Sequence, residues 1–201
     1  LPIMTELERT FPKAKTYTGD VWGADYTLQT QKLPREERQG VVVSDTELAD
    51  ISCFHLHNDS HVEMLGVNFE EHKGVFPEGC GDCECLFKAK DVNRGGWLLL
   101  CELKYGKNEL PNNIANARKA FNQLYGTWNL LKEKKVFVVT KCKSFLNISM
   151  PKHGNATPFD SYLYLQDEKL NWLQQNKIKL MGVNDVLIIN KGILQVPNAK
   201  I

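Results

Sequence analysis

Hydrophobic and polar positions divide the chain into stretches of different period. Residues 1–40 sustain none: Thr5-Glu6-Leu7-Glu8-Arg9-Thr10-Phe11 predicts a short capped helical turn stopped by Pro12, and polar Lys13–Gln39, with Gly19, Gly23 and Pro34, predicts a loop-rich arm. From Val41 onward, short apolar runs alternate with turn residues, as strands do. Val41–Val43 predicts a strand, Ser44–Ile51 a short capped helix, and Cys53–His57 with Val62–Phe69 a hairpin about Asn58-Asp59-Ser60. Asp82–Ala89 and Trp97–Tyr105 predict two further strands joined by a polar connection long enough for an antiparallel hairpin.

At Pro111-Asn112-Asn113 the period becomes helical. Ile114, Ala117, Phe121, Leu124, Trp128 and Leu131 fall on one face, and Lys132–Lys135 place positive charge at the end where the helix dipole favours it. Val136–Thr140 then predicts a short buried strand, Phe145–Pro158 a loop and Asp160–Gln175 a second helix. Val186–Ile189 predicts a closing strand, and Asn190-Lys191-Gly192 a turn into an extended tail. The order strand, strand, strand, helix, strand, helix, strand predicts an α/β (mixed α+β) fold with a central mixed β-sheet flanked by helices. It forms one domain over residues 41–201, preceded by the arm of residues 1–40.

Composition narrows this picture. The 201 residues are 42% hydrophobic and 24% charged, as expected of one globular domain. A formal net charge of +1 excludes a chain-wide electrostatic grip on nucleic acid, so a polyanion must be met by a local patch or a metal. Lys104, Lys107, Lys141, Lys143, Lys152 and His153 are candidates for such a patch. No apolar run approaches the roughly 18 residues of a membrane span, and the first residues lack a basic-then-apolar signal pattern. Three of the six cysteines lie in strand-like segments, where free thiols act as small hydrophobes. A reducing, cytoplasmic compartment is therefore expected.

Chemistry enters with acids inside apolar strands, where an unpaired carboxylate loses its hydration. Strand alternation places Asp82 and Glu84 on one face, with Cys83 and Cys85 on the core side. It likewise places Glu102 and Lys104 together, opposite Cys101 and Leu103. The run Trp97-Leu98-Leu99-Leu100-Cys101 ahead of Glu102 marks a central strand, where solvated acids are unusual. If the two strands pair, three carboxylates and an ammonium converge, the donor set of a hard divalent cation such as Mg²⁺ or Mn²⁺.

Acid-bearing Cys83-Glu84-Cys85-Leu86-Phe87, a hairpin, Cys101-Glu102-Leu103-Lys104 and then a helix carrying Gln123-Leu124 together resemble the PD-(D/E)xK phosphodiesterase superfamily of restriction-endonuclease-like nucleases. The resemblance spans roughly residues 80–140 and implies metal-dependent hydrolysis of nucleic-acid phosphodiesters. It implies Glu84 and Glu102 as metal ligands, with Asp82 competing for the first place because Glu84 stands where Asp is usual. Lys104 would position or activate the attacking water, and Gln123 would complete the catalytic set, although it lies roughly 130° from the centre of the helix's apolar stripe. Glu47, with Glu8 behind it, is the candidate for the acid that relatives carry on a preceding helix. The implied partner is nucleic acid, DNA ahead of RNA, with a homodimer as a possible assembly.

Two other readings stay open. A non-catalytic member of the same fold would bind nucleic acid or a protein. A zinc-stabilised interaction domain would use Cys80 and Cys83 with Cys85 and Cys101, although a ribbon-type site needs a second CxxC and none is present. His55, His57 and His61 with Asp59 read as surface imidazoles on a polar hairpin edge, with a metal or catalytic role only if that hairpin approaches Glu84.

Overall fold

The computed structural model describes residues 4–78, 82–92, 94–107, 109–153 and 167–197. Its central element is the strand Gly96–Leu103 (β7), every residue of which is buried. Leu98 and Leu100 enter one apolar core, together with Ala117, Phe121, Leu124, Trp128 and Leu131 of the helix Leu110–Glu133 (α3). Trp97, Leu99, Cys101 and Leu103 enter a second core with Val21, Ala24, Phe54 and Leu56. A strand with apolar side chains in both directions must be covered on both faces. The result is three layers: helices, a first sheet containing β7, and a second sheet behind it.

The first sheet takes the strands Lys15–Tyr17 (β1), Met64–Asn68 (β5), Cys85–Ala89 (β6), β7, Cys142–Ser149 (β8) and Ile178–Met181 (β9), in the order β1-β5-β6-β7-β8-β9. Pairing is antiparallel from β1 to β7 and parallel for β7–β8 and β8–β9. The change comes where α3 carries the chain back across the sheet, as a parallel connection requires. The second sheet runs Ile193–Gln195 (β11), Asp185–Asn190 (β10), Phe54–His57 (β4), Val21–Asp25 (β2) and Val41–Ser44 (β3). Only its β10–β4 pair is parallel. Two shorter helices, Glu6–Thr10 (α1) and Thr27–Thr30 (α2), and a later one, Asp167–Gln175 (α4), complete the elements used below. The mixed sheet with flanking helices agrees with the alternation of the sequence, and α1 starts from the Thr5–Glu8 capping box.

Several local expectations are corrected. The polar arm contains β1 and β2, each hydrogen-bonded into a sheet. Residues 53–69 do not form a hairpin: β4 and β5 lie in different sheets. The Asn58 turn is real, since its side chain bonds the backbone N and O of Val62 and the carbonyl of Gly19, but it passes the chain between layers. Ser44 ends β3, and residues 45–51 form bends, turns and irregular chain, not a helix.

Val136–Thr140 is a turn closing α3, with Lys135 at φ 58° and Phe137 packed on Trp128. The strand comes later, at Cys142–Ser149, where the polar residues Ser144, Asn147 and Ser149 disguise it. All three are buried and bonded, to Trp128 Nε1, the Val183 carbonyl and Asn184 Oδ1 respectively. Buried polar groups with partners lose little on leaving water, so polarity there does not imply a loop. Within the expected helix Asp160–Gln175, α4 accounts for Asp167–Gln175; positions 160–166, like positions 154–158 of the expected loop, lie outside the described residues.

Trp128 joins three of these parts: it is fully buried under α3, donates to Ser144 Oγ of β8 at 3.0 Å, and packs edge-on against Trp172 of α4 at 5.2 Å. Trp128→Ala is expected to lower unfolding free energy by about 3–5 kcal/mol, measurable by urea denaturation. Trp172→Ala, from the half-buried side of the same contact, should cost clearly less.

Candidate functional site

Pairing register builds the site. β6 and β7 run antiparallel with Cys85 opposite Cys101, so Glu84, just before β6, falls beside Glu102 near the end of β7. Alternation puts Glu102 on the face shared by Leu98 and Leu100, towards α3. Lys104 follows β7, its N–H still donating to the Ser149 carbonyl at 2.9 Å and extending the ladder towards β8. Gln123 reaches the same point from α3. Although off the helix's apolar stripe, it sits at the flank of that stripe that overlies the strand ends.

These four side chains form one chain of contacts. Glu84 Oε2 accepts from the Leu103 N–H at 3.0 Å. Glu102 Oε1 accepts from Lys104 Nζ, which also donates to Gln123 Oε1 at 3.0 Å. Gln123 Nε2 in turn donates to the Asp82 carbonyl at 2.8 Å, tying the network to the segment that leads into β6. Glu102 has 0% exposure, and its Oε2 has no donor among the described residues.

Burial pushes the Glu102 carboxyl well above its usual range, and the neighbouring Glu84 charge and hydrogen bond push it further; Lys104 opposes the shift without cancelling it. Glu84 is also raised, mainly by burial, while its contacts to Glu102, Lys104 and the Leu103 N–H hold it back. Both shifts have one physical cause: two adjacent buried anions repel and neither is well hydrated. Asp25, at the end of β2, adds to the negative field on Glu84 from the second sheet.

At Lys104 opens a cleft of about 460 Å³ whose lining includes Asp25, Tyr105, Lys107, Asn116 and Lys119 but neither glutamate. Asp25, Asn116 and Lys119 did not stand out in the sequence. The only signal for Asp25 was a short apolar run, Val21–Ala24, ending in an acid within a polar stretch. Lys119 and Asn116 sit on the polar flank of α3, where such residues are ordinary.

The other sequence candidates separate. Asp82 precedes the strand and meets the network through its backbone carbonyl; among the described residues neither it nor Asp25 joins the two glutamates in a three-ligand cluster with donor atoms within 4.8 Å. Glu8 caps α1 and feels Lys88 and Lys90, at the opposite end of β6. Glu47 is exposed and not helical. Cys83 belongs to the helix-side core, while Cys85 and Cys101 belong to the core between the sheets, so the expected shared face for Cys83 and Cys85 is wrong and these three thiols do not converge. Cys80 lies outside the described residues.

Among the lysines, Lys104 and Lys107 line the cleft and Lys152 stands over the Tyr105 ring at 6.0 Å, whereas Lys143 pairs with Trp97 at the far end of β7. His153 is buried. His61 turns to the Thr18 carbonyl and Asp59 is exposed, and neither comes to the glutamates. No helix among the described residues is long and apolar enough to cross a membrane.

The raised Glu102 carboxyl gives stability a definite pH slope. Unfolded glutamate releases its proton near 4.3, whereas folded Glu102 holds it to higher pH. Between those points the folded chain binds more protons than the unfolded one, so this pair's contribution falls as pH rises. In chelator-treated protein, Glu102→Gln is expected to melt higher than wild type at pH 8, by about 2–4 °C per kcal/mol relieved, with the gap narrowing towards pH 5. A gap that widens towards acid would contradict the upward shift of Glu102. Comparison of the chain with family models, with curated proteins and with solved structures finds no match in any of the three.

Proposed function

We propose that the chain is a metal-dependent phosphodiesterase acting on nucleic acid, with Glu84 and Glu102 as the metal-binding carboxylates. One observation carries the reading: Glu102 is wholly buried beside Glu84, and its Oε2 has no hydrogen-bond partner among the described residues. Burying such a pair costs free energy that the fold alone does not return, and a divalent cation would return it. The donor set fits Mg²⁺ or Mn²⁺, which take one or two carboxylates and keep several waters. When bound, such an ion supplies Lewis-acid polarisation of a phosphate and an acidified water.

The remaining roles fall to the chain's own groups. Lys104 Nζ, held between Glu102 and Gln123, is placed to orient a water at a phosphate or to neutralise charge on its oxygens. Gln123, anchored on the Asp82 carbonyl, positions Lys104 from the helix side. Lys107 and Lys119 give the adjacent cleft the local positive charge that a phosphate backbone requires of a chain with so small a net charge. The order Glu84, β6, hairpin, β7 with Glu102, Lys104 and then α3 supports the resemblance to PD-(D/E)xK nucleases. The described cysteines are free thiols, which suits a reducing, cytoplasmic setting.

With Mn²⁺, wild type is expected to cleave at least one of single-stranded DNA, double-stranded DNA or RNA. Lys104→Ala should lower kcat about 10²–10⁴-fold while leaving Mn²⁺ binding in place. Glu102→Gln should remove both cleavage and Mn²⁺ binding, read by calorimetry. Retained Mn²⁺ binding and nucleic-acid binding without cleavage of any of the three would favour a non-catalytic binding protein.

A further inference from the structure

His55 and His57 are two apart on β4, so both rings project from one face while Phe54 and Leu56 fill the core behind them. β4 lies between β10 and β2, and the register sets Asp185 beside His55 on one side and Trp22 on the other. Asp20 immediately precedes β2. Side chains from three neighbouring strands therefore meet on the outer face of the second sheet, remote from α3 and the glutamate pair.

The contacts there are short and fix the rings. His55 Nε2 lies 2.8 Å from Asp20 Oδ2, His57 Nε2 lies 3.0 Å from Asp185 Oδ1, and that oxygen is 4.0 Å from His55 Nδ1. The imidazole centroids are 3.6 Å apart, and the Trp22 indole stacks on His55 at 4.6 Å. Asp20 Oδ1 also accepts from the Asn58 N–H at 2.7 Å, so the carboxylate is held from both sides. Partial burial works to raise its pKa, but the bonds from Asn58 and His55 outweigh that and leave it below its usual range, an anion ready to bind.

Donor atoms of Asp20, His55 and His57, one from each, all lie within 4.8 Å of one another. Small side-chain rotations close that span around an ion with bonds of about 2.0–2.2 Å. Two imidazoles and a carboxylate suit a borderline transition-metal ion, whereas Mg²⁺ and Ca²⁺ prefer oxygen alone. Asp185 stands where an outer carboxylate orients a ligating histidine, or where a fourth ligand would.

We propose that Asp20, His55 and His57 form a Zn²⁺ site, supported by Asp185, that pins β2, β4 and β10 together on the outer face of the second sheet. The ion joins residue 20, residues 55 and 57, and residue 185, segments far apart in sequence. It acts as a clasp on the layer that backs β7. The site is separate from the all-oxygen Glu84–Glu102 pair in both ligand chemistry and layer.

Full-length protein stripped of metal and titrated with Zn²⁺, or with Co²⁺ as its spectroscopic stand-in, tests this. One equivalent is expected to bind, with visible Co²⁺ d–d bands displaced by Zn²⁺ and a melting temperature raised by several degrees. His55→Gln with His57→Gln should abolish stoichiometric binding, and Asp185→Asn should weaken it about 10–100-fold. Glu84→Gln with Glu102→Gln should leave it intact, so failure of the phosphodiesterase reading and failure of the zinc site are distinguishable. The proposal is overturned if wild type binds no equivalent of Zn²⁺, if binding survives the double histidine substitution, or if a near-ultraviolet thiolate-to-cobalt band assigns the ion to cysteine.

Discussion

The burial of β7 on both faces is the constraint from which the rest follows. A strand reading Trp-Leu-Leu-Leu-Cys needs apolar cover in both directions, and the chain supplies it with α3 on one side and the second sheet on the other. Glu102 is the exception in that strand. It cannot reach water by a change of rotamer, since both sides are packed, so among the described residues its charge is answered by Lys104, and burial still holds its carboxyl above the usual range. The fold thus creates the electrostatic tension at the site, and the site is not an addition to a finished scaffold.

That tension is local. One residue earlier, Cys101 packs into the core between the sheets; one residue later, Leu103 does the same and lends its N–H to Glu84. A carboxylate accepting from the backbone of the next strand is held in place without a further side chain. The acid pair, Lys104 and Gln123 are consequently fixed by two strand ends and one helix, elements that tolerate little displacement. Asp25 and the cleft lysines stand where the second sheet and α3 overhang this point. Proteins commonly accept such strained electrostatics where binding or chemistry later relieves it.

Much of this was legible in residues. Apolar runs at Cys85–Ala89 and Trp97–Leu103, and period 3.6 through α3, placed three central elements within a few residues of their observed ends. The coincidence of Glu84, Glu102 and Lys104 followed from alternation once those strands were paired. Other parts were hidden because their logic is not local. β8 carries Ser144, Asn147 and Ser149, whose partners lie 16 to 36 residues away, and Pro151, Gly154 and Pro158 beyond it made its second half read as part of a loop. β4 and β5 flank a genuine turn, but a turn does not say whether the next strand pairs with the last or crosses to another sheet. Asp20 and Asp185 are 165 positions apart in a sequence that gives neither any mark, yet the parallel β10–β4 pair and the β2–β4 pair bring both to the same histidines.

By itself, then, the sequence determined that Trp97–Cys101 and one face of α3 must be buried, which segments were helix or strand where the period was strong, and that Glu102 would sit in an apolar strand with Lys104 two residues on. These are short-range properties, written in spacing. Only the tertiary structure decided that Cys83 and Cys85 face different cores, that Asp82 meets the site through its backbone while Asp25 faces it from β2, and that Gln123 reaches Lys104. Those depend on which layer each strand joins and on the register in which it pairs, and both are set by packing the two faces of β7 together.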